Sequence, residues 1–164
     1  MQYAVKLKNK AKNEGFPYEQ VWCVFDRDEH LNIHEAINQA IANDIELAYS
    51  VPSFELWILL HFQDQSAHIE RDRVNDSIKK HFNDYEKGKS DYQLASNGQI
   101  AIRSNGKGNR VLKELPNCQN AIDRADELRK THRNAFRPTD SNPSTTVDEL
   151  MKSLNEIAGI GQMR

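Results

Sequence analysis

Val21-Trp22-Cys23-Val24-Phe25-Asp26-Arg27-Asp28 restricts the fold of this chain more than any other segment. An apolar run rich in β-branched and aromatic side chains reads as a buried strand, and its abrupt ending puts two carboxylates at the C-terminal tip. Ile33, Ala36, Ile37, Ala40 and Ile41 then recur at helical spacing, with Asn43-Asp44 as the exit. Ile45 to Tyr49 reads as a second short strand, Ser50 to Ser53 as a turn, and Phe54 to Phe62 as a helix too apolar for the surface. The order strand, helix, strand, helix predicts a right-handed crossover and a parallel sheet, an α/β fold flanked by helices. Such a sheet needs at least one further strand, and no candidate precedes residue 21.

In open α/β sheets ligands bind at the carboxyl ends of the strands. Asp26 and Asp28, two residues apart, can offer hard oxygen ligands to one Mg²⁺, which can neutralise a phosphate and orient a water. The plainer alternative is a polar turn in which Asp28 caps the helix that follows. Glu55 falls in the first turn of the apolar helix, where the helix dipole favours a carboxylate. If the two strands are neighbours it approaches the two Asp residues; otherwise it is a helix N-terminal acid that Ser53 helps to cap.

A chain of 164 residues fits one domain and can bury roughly 70% of its unfolded surface. Within residues 1–164 the core would occupy about 1–62, a polar insertion about 83–113, and C-terminal helices about 116–159. With 22 Lys and Arg against 24 Asp and Glu, nucleic-acid affinity would have to come from local clusters rather than a global field. Cys23 and Cys118 form no CxxC pattern and read as reduced thiols. Phe54 to Phe62 is about half the length that spans a bilayer, and no signal-like leader is present, so a soluble, cytoplasmic, unprocessed protein without membrane contact is expected.

Residues 2–14 suit a basic, weakly amphipathic helix stopped by Gly15 and Pro17. Val74 to Phe82 reads as a short helix, and residues 83–110 as an insertion or mobile loop, with Asn97-Gly98 a hairpin turn before Gln99 to Arg103. Pro116 would open a helix through Leu128, and Thr146 with Glu149 forms a capping-box pattern ahead of a last helix ending near Gly159. Arg103, Lys107, Arg110 and Lys113 decorate a Gly- and Asn-rich loop suited to a phosphate backbone, or simply to solvent. It is not a Walker A loop, because no Ser or Thr follows the Lys. Of the six His residues, His30 and His34 share a helix face, His30 is a weak candidate for proton transfer, and His61 reads as a satisfied core histidine.

Three ordered segments carry a resemblance. Val21 to Glu29, Ala48 to Trp57 with Leu59-Leu60-His61-Phe62, and Asn142-Pro143-Ser144-Thr145-Thr146-Val147 resemble the RloB family. That family comprises TOPRIM-type proteins of bacterial restriction and phage-defence loci, often encoded beside an ABC-type ATPase. The resemblance implies a Rossmann-like TOPRIM sheet whose metal site joins a Glu ending the first strand to a DxD ending a later one. The DxD falls on Asp26 and Asp28, and the family's Phe-Glu pair on Phe54 and Glu55. The family's opening strand and its Glu have no counterpart, since Met1 falls within the first helix and Glu14 and Glu19 follow it. This implies an N-terminally shortened member with weaker Mg²⁺ binding and a sheet edge near residues 21–25 open to pairing in a homodimer.

The expected function is that of a Mg²⁺- or Mn²⁺-dependent, nuclease-like component of anti-phage defence that cleaves phosphodiesters. Asp26, Asp28 and Glu55 would hold the metal and activate water, Arg103, Lys107 and Arg110 would hold DNA or RNA, and an ABC-type ATPase would be the partner. One rival is a non-catalytic interaction or sensor module of the same system. Another is a phosphatase of the haloacid dehalogenase type, with Asp26 as nucleophile and Ser50 binding phosphate, although no Thr or Val stands two residues after Asp28.

Overall fold

The computed structural model describes residues 1–27, 33–81, 90–94, 100–104, 111–115, 118–132 and 141–159. The chain opens with helix α1 (Gln2–Asn13). Gly15 ends it at φ 84°, so that Phe16 N–H reaches Ala11 O at 3.0 Å and Gly15 N–H reaches Lys12 O at 3.2 Å, a Schellman closure. Strand β1 (Trp22–Asp26), helix α2 (Ile33–Ala42) and strand β2 (Glu46–Val51) follow. Lys8 ties α1 to the C-terminal end of α2 through Asn43 O at 2.9 Å and the Asp44 carboxylate at 3.0 Å, a cation placed where the helix dipole is negative.

β1 and β2 pair in parallel, with Asp26 opposite Ser50, as the alternating strands and helices predict. The further strand that such a sheet needs comes from far along the chain. Strand β6 (Ser144–Thr145) runs antiparallel to the end of β2, giving the order β1-β2-β6. The sheet is therefore mixed rather than wholly parallel. β1 is its edge, where Val24 is 52% exposed.

Helix α3 (Glu55–Leu60) fills the centre. Leu56 to Leu60 are all buried, which explains why its sequence is apolar on every side. It packs on β2, β6, helix α4 (Arg71–His81) and helix α5 (Cys118–Thr131). α4 turns Val74 and Ile78 inward, and α5 turns Ala121, Ile122, Ala125 and Leu128 inward. Helix α6 (Val147–Ile157) closes the core against β2 and α5 through Val147 and Met151.

Residues 90–94, 100–104 and 111–114 form strands where the composition suggests a loop. β3 (Ser90–Leu94), β4 (Ile100–Ser104) and β5 (Val111–Glu114) form a separate antiparallel sheet. β3 and β4 pair antiparallel, and the turn expected at Asn97-Gly98 lies outside the described residues. The segment read as a loop is thus a meander whose exit, Leu115, is buried in the main core. Among the described residues no helix is long and apolar enough to cross a membrane.

The expected helix caps form differently. Thr146 precedes α6 without a side-chain cap bond; its hydroxyl donates to Leu47 O at 3.0 Å and accepts from Tyr49 N–H at 3.1 Å, stitching β6 to β2. Ser53 does not cap α3 either, and its buried hydroxyl has no hydrogen-bond partner. In both places tertiary pairing overrides the local preference.

Candidate functional site

The tips of β1 and β2 meet the first turn of α3. Arg27 N–H bonds Ser50 O at 2.9 Å, so the ladder continues one residue beyond Asp26 and fixes its backbone. Asp26 Oδ1 then accepts the Phe54 N–H at 2.6 Å. The strand carboxylate thereby takes the role expected of Ser53, satisfying an amide that the first helical turn leaves without an intrahelical acceptor.

Glu55 is the next residue along α3, so its backbone follows directly on the amide that Asp26 holds. Glu55 is half-buried, and its Oε2 is enclosed with no hydrogen-bond partner. A buried carboxylate oxygen without a donor costs free energy unless a water or an ion meets it.

The second oxygen of Asp26 meets a cation that the sequence patterns do not reveal. Arg71 Nη2 lies 3.2 Å from Asp26 Oδ2, with the two side chains 37% and 24% exposed. Arg71 opens α4, and two contacts set its position. Asn142 exchanges hydrogen bonds with the backbone of Ile69, at 3.1 Å to its carbonyl and 3.3 Å from its amide, and Asn75 Nδ2 donates to Arg71 O at 2.9 Å. Nothing in the spacing of Arg71-Asp72-Arg73 distinguishes this residue from surface charge, because its partner is 45 positions away.

The Asn142–Val147 segment acts as a brace. Ser50 Oγ and Thr145 Oγ1 are 2.8 Å apart and buried, and Thr145 Oγ1 also lies within bonding distance of Tyr49 O and Val147 N. Ser50 is consumed by this network rather than presented to a phosphate, which removes the anion-binding role the phosphatase rival assigns to it. Beneath the brace Asp148, fully buried, receives both terminal nitrogens of Arg129 and, at 2.9 Å, Lys152. Burial alone works against the Arg129 cation, but hydrogen bonding and charge from Asp148 outweigh it and raise its pKa. Arg129 also donates to Thr145 O at 2.9 Å, linking the ion cluster to β6.

Asp28 and His30 lie outside the described residues, as do Lys107 and Arg110. Arg103 lies on β4, opposite Asp91 of β3 and Leu112 of β5, in a sheet separate from the one that carries Asp26. His34 lies in the first turn of α2 and is half-buried. His61 is a core residue, 2% exposed, whose Nδ1–H donates to Trp57 O at 3.0 Å; its Nε2 has no partner, so it is only half satisfied. Burial pushes its pKa down to about 4, which keeps the ring neutral near pH 7. The free thiols Cys23 and Cys118 are half-buried, and burial, followed by the charge of Asp148, pushes Cys118 up to about 11. A cavity of about 370 Å³ opens elsewhere, between Asp64 and the Asp123–Arg124–Glu127 face of α5, beyond the C-terminal end of α3.

Among the described residues no group of three or more His, Cys, Asp or Glu side chains could hold a metal ion. Asp26 and Glu55 nevertheless suit a hard divalent cation, since Mg²⁺ is commonly held by one or two carboxylates with waters and substrate phosphates completing its shell. The enclosed Glu55 Oε2 is the atom such an ion would satisfy.

The class is that of an α/β chain with Asp26 at a strand tip and a brace built from Asn142 to Val147. The family model described as RloB-like protein matches residues 1–154, and the chain belongs to the RloB-like family. No curated protein and no solved structure matches it.

Proposed function

We propose that this protein is a Mg²⁺- or Mn²⁺-dependent, nuclease-like member of a bacterial anti-phage defence system, with a TOPRIM-type site at the tips of β1 and β2. The observation that supports the reading is the 2.6 Å bond from Phe54 N–H to Asp26 Oδ1, which ties the strand acid to the residue before Glu55, whose Oε2 is unsatisfied. Asp26, Glu55 and, from the segment just beyond β1, Asp28 would hold the ion. When bound, the ion would supply Lewis acidity toward a phosphodiester oxygen and a more acidic water. The chain's own groups do the rest: Phe54 N–H fixes one oxygen of Asp26, and Arg71 balances the charge of the other. The strands and loop bearing Arg103, Lys107 and Arg110 would contact the nucleic-acid backbone, and an ABC-type ATPase would be the partner.

Titration of the full chain with Mg²⁺ and Mn²⁺ by calorimetry, beside Asp26→Asn and Asp28→Asn, tests this. Binding lost in the folded variants, together with metal-dependent cleavage of DNA or RNA by the parent, is the expected result; binding that neither variant changes would overturn it.

A second reading, a non-catalytic interaction module, draws support from the way both Asp26 oxygens are met by protein donors. It expects Asp26→Asn to lower stability without altering any metal response.

A further inference from the structure

We infer that the outward face of α1 is a docking surface for single-stranded nucleic acid, with Lys6 and Lys10 set against phosphates and Tyr3 and Phe16 stacked on bases. The surface is built from residues outside the strand tips, and it does not depend on the metal-site reading.

Helix α1 meets the rest of the molecule along one side. Ala11 is buried, Ala4, Val5 and Lys8 are half-buried, and Lys8 is engaged by Asn43 O and the Asp44 carboxylate. Residues three and four apart share a helix face, so Tyr3, Lys6, Leu7 and Lys10 form one stripe on the other side. All four are exposed, Tyr3 at 73%. Among the described residues Lys6 has no acidic partner, and Lys10 has only Glu14, 3.7 Å away with both side chains more than half exposed. Two lysines one turn apart repel each other, so the stripe carries a charge that an anion would relieve.

Charge selects an anion, and the aromatic rings select its kind. Residues 1–18 hold four lysines against one acid, Glu14, in a chain whose net charge is -2. The same stretch holds Tyr3, Leu7, Phe16 and Tyr18, four of the eight large apolar side chains exposed among the described residues, with Phe16 at 81%. Tyr3 stands in the first turn of the helix, and Phe16 follows its C-terminal end. Bare rings beside lysines are the combination that binds single strands, since every unstacked base offers a face and every nucleotide a phosphate. A duplex hides its base faces and would meet the lysines alone. A lipid surface would call for a broad aliphatic face, and of this stripe only Leu7 is aliphatic.

The test uses the full chain and labelled oligo(dT), read by fluorescence anisotropy in chelator, with circular dichroism and melting confirming the fold of each variant. In chelator no divalent ion takes part, so failure of the metal-site reading leaves the outcome untouched. For a single strand each phosphate contact contributes about 0.7 to the slope of log affinity on log salt. Changing both Lys6→Gln and Lys10→Gln should lower that slope by about 1.4 and weaken binding about 25-fold at about 0.1 M salt, whereas Lys6→Arg with Lys10→Arg should bind as the wild type does. Tyr3→Ala and Phe16→Ala should each weaken binding about tenfold with the slope unchanged. Lys12→Gln, one turn beyond Lys8 on the flank of the helix, should leave binding nearly unchanged. No binding by the wild type, equal affinity for the oligo(dA)·oligo(dT) duplex, binding indifferent to Tyr3 and Phe16, or a loss in Lys12→Gln as large as that of the double glutamine variant would overturn the assignment. So would tighter binding to vesicles of phosphatidylcholine with phosphatidylserine, or to poly-glutamate, which would make the face one for a membrane or an acidic protein.

Discussion

Glu55 offers the sharpest test of whether the strand tips are built for a ligand, because its carboxylate should cost stability in the isolated chain and recover it with metal. Oε2 is enclosed and has no donor, in a residue directly after the amide that Asp26 grips. An unsatisfied buried acceptor costs about 1–3 kcal/mol, with charged groups at the upper end, and a neutral amide in its place is cheaper to desolvate. Since the residue is only half-buried, Glu55→Gln should gain ~1–2 kcal/mol when a chelator is present. At roughly 2–4 °C per kcal/mol for a domain of this size, the melting temperature should rise by about 2–8 °C. Mn²⁺ at about a hundred times its dissociation constant should add ~2.7 kcal/mol to the wild type and far less to the variant. The order of stability should therefore invert: variant above wild type in chelator, wild type above variant in Mn²⁺. Differential scanning calorimetry of both proteins in both buffers decides the matter. A variant that melts lower in chelator, or that keeps the full Mn²⁺ shift, would refute the reasoning.

Two further predictions concern buried charge. Asp148→Ala should cost about 3–5 kcal/mol, because it strands the half-buried Arg129 and releases the tie to Thr145 O; urea unfolding showing a loss below ~1 kcal/mol would contradict this. His61 makes stability fall with acid. Its folded pKa of about 4 lies below the unfolded value near 6.5, so the unfolded chain binds the extra proton between these limits. The contribution is complete above about pH 6.5 and lost as pH falls through about 4, ~3 kcal/mol in all. His61→Gln should flatten that part of the stability profile, and an unchanged slope between these pH values would count against it.

The legible parts of the fold were those set by periodicity over short distances. The apolar run to Asp26, the α2 spacing and the uniformly apolar α3 each identify an element, because each depends on its own residues. What escaped depends on partners far along the chain. β6 is two residues long and gives no strand pattern; it exists because Ser50 and Thr145, 95 positions apart, share a buried hydrogen bond. Arg71 belongs to the site by a contact 45 positions away. The β3–β4–β5 meander was hidden by its Asn, Asp, Gly and Lys content, which local propensity reads as loop until cross-strand pairing is supplied.

The failed capping expectations point to why site and core are inseparable here. Ser53 and Thr146 have the residue types that helix N-termini prefer, yet the α3 amide goes to Asp26 and the Thr146 hydroxyl goes to β2. Capping α3 from β1 means that the orientation of Asp26 is set by how deeply α3 is buried, through Leu56 to Leu60 on β2, β6, α4 and α5. The same α4 carries Arg71, and the segment leading into it is clamped by Asn142 at the start of the β6 brace. Thus anchor, counter-charge and neighbouring acid all rest on elements packed around one buried helix. One oxygen of Asp26 meets a backbone amide of that frame and the other meets Arg71, so a change that loosens the packing of α3 should be felt at Asp26 even without touching it.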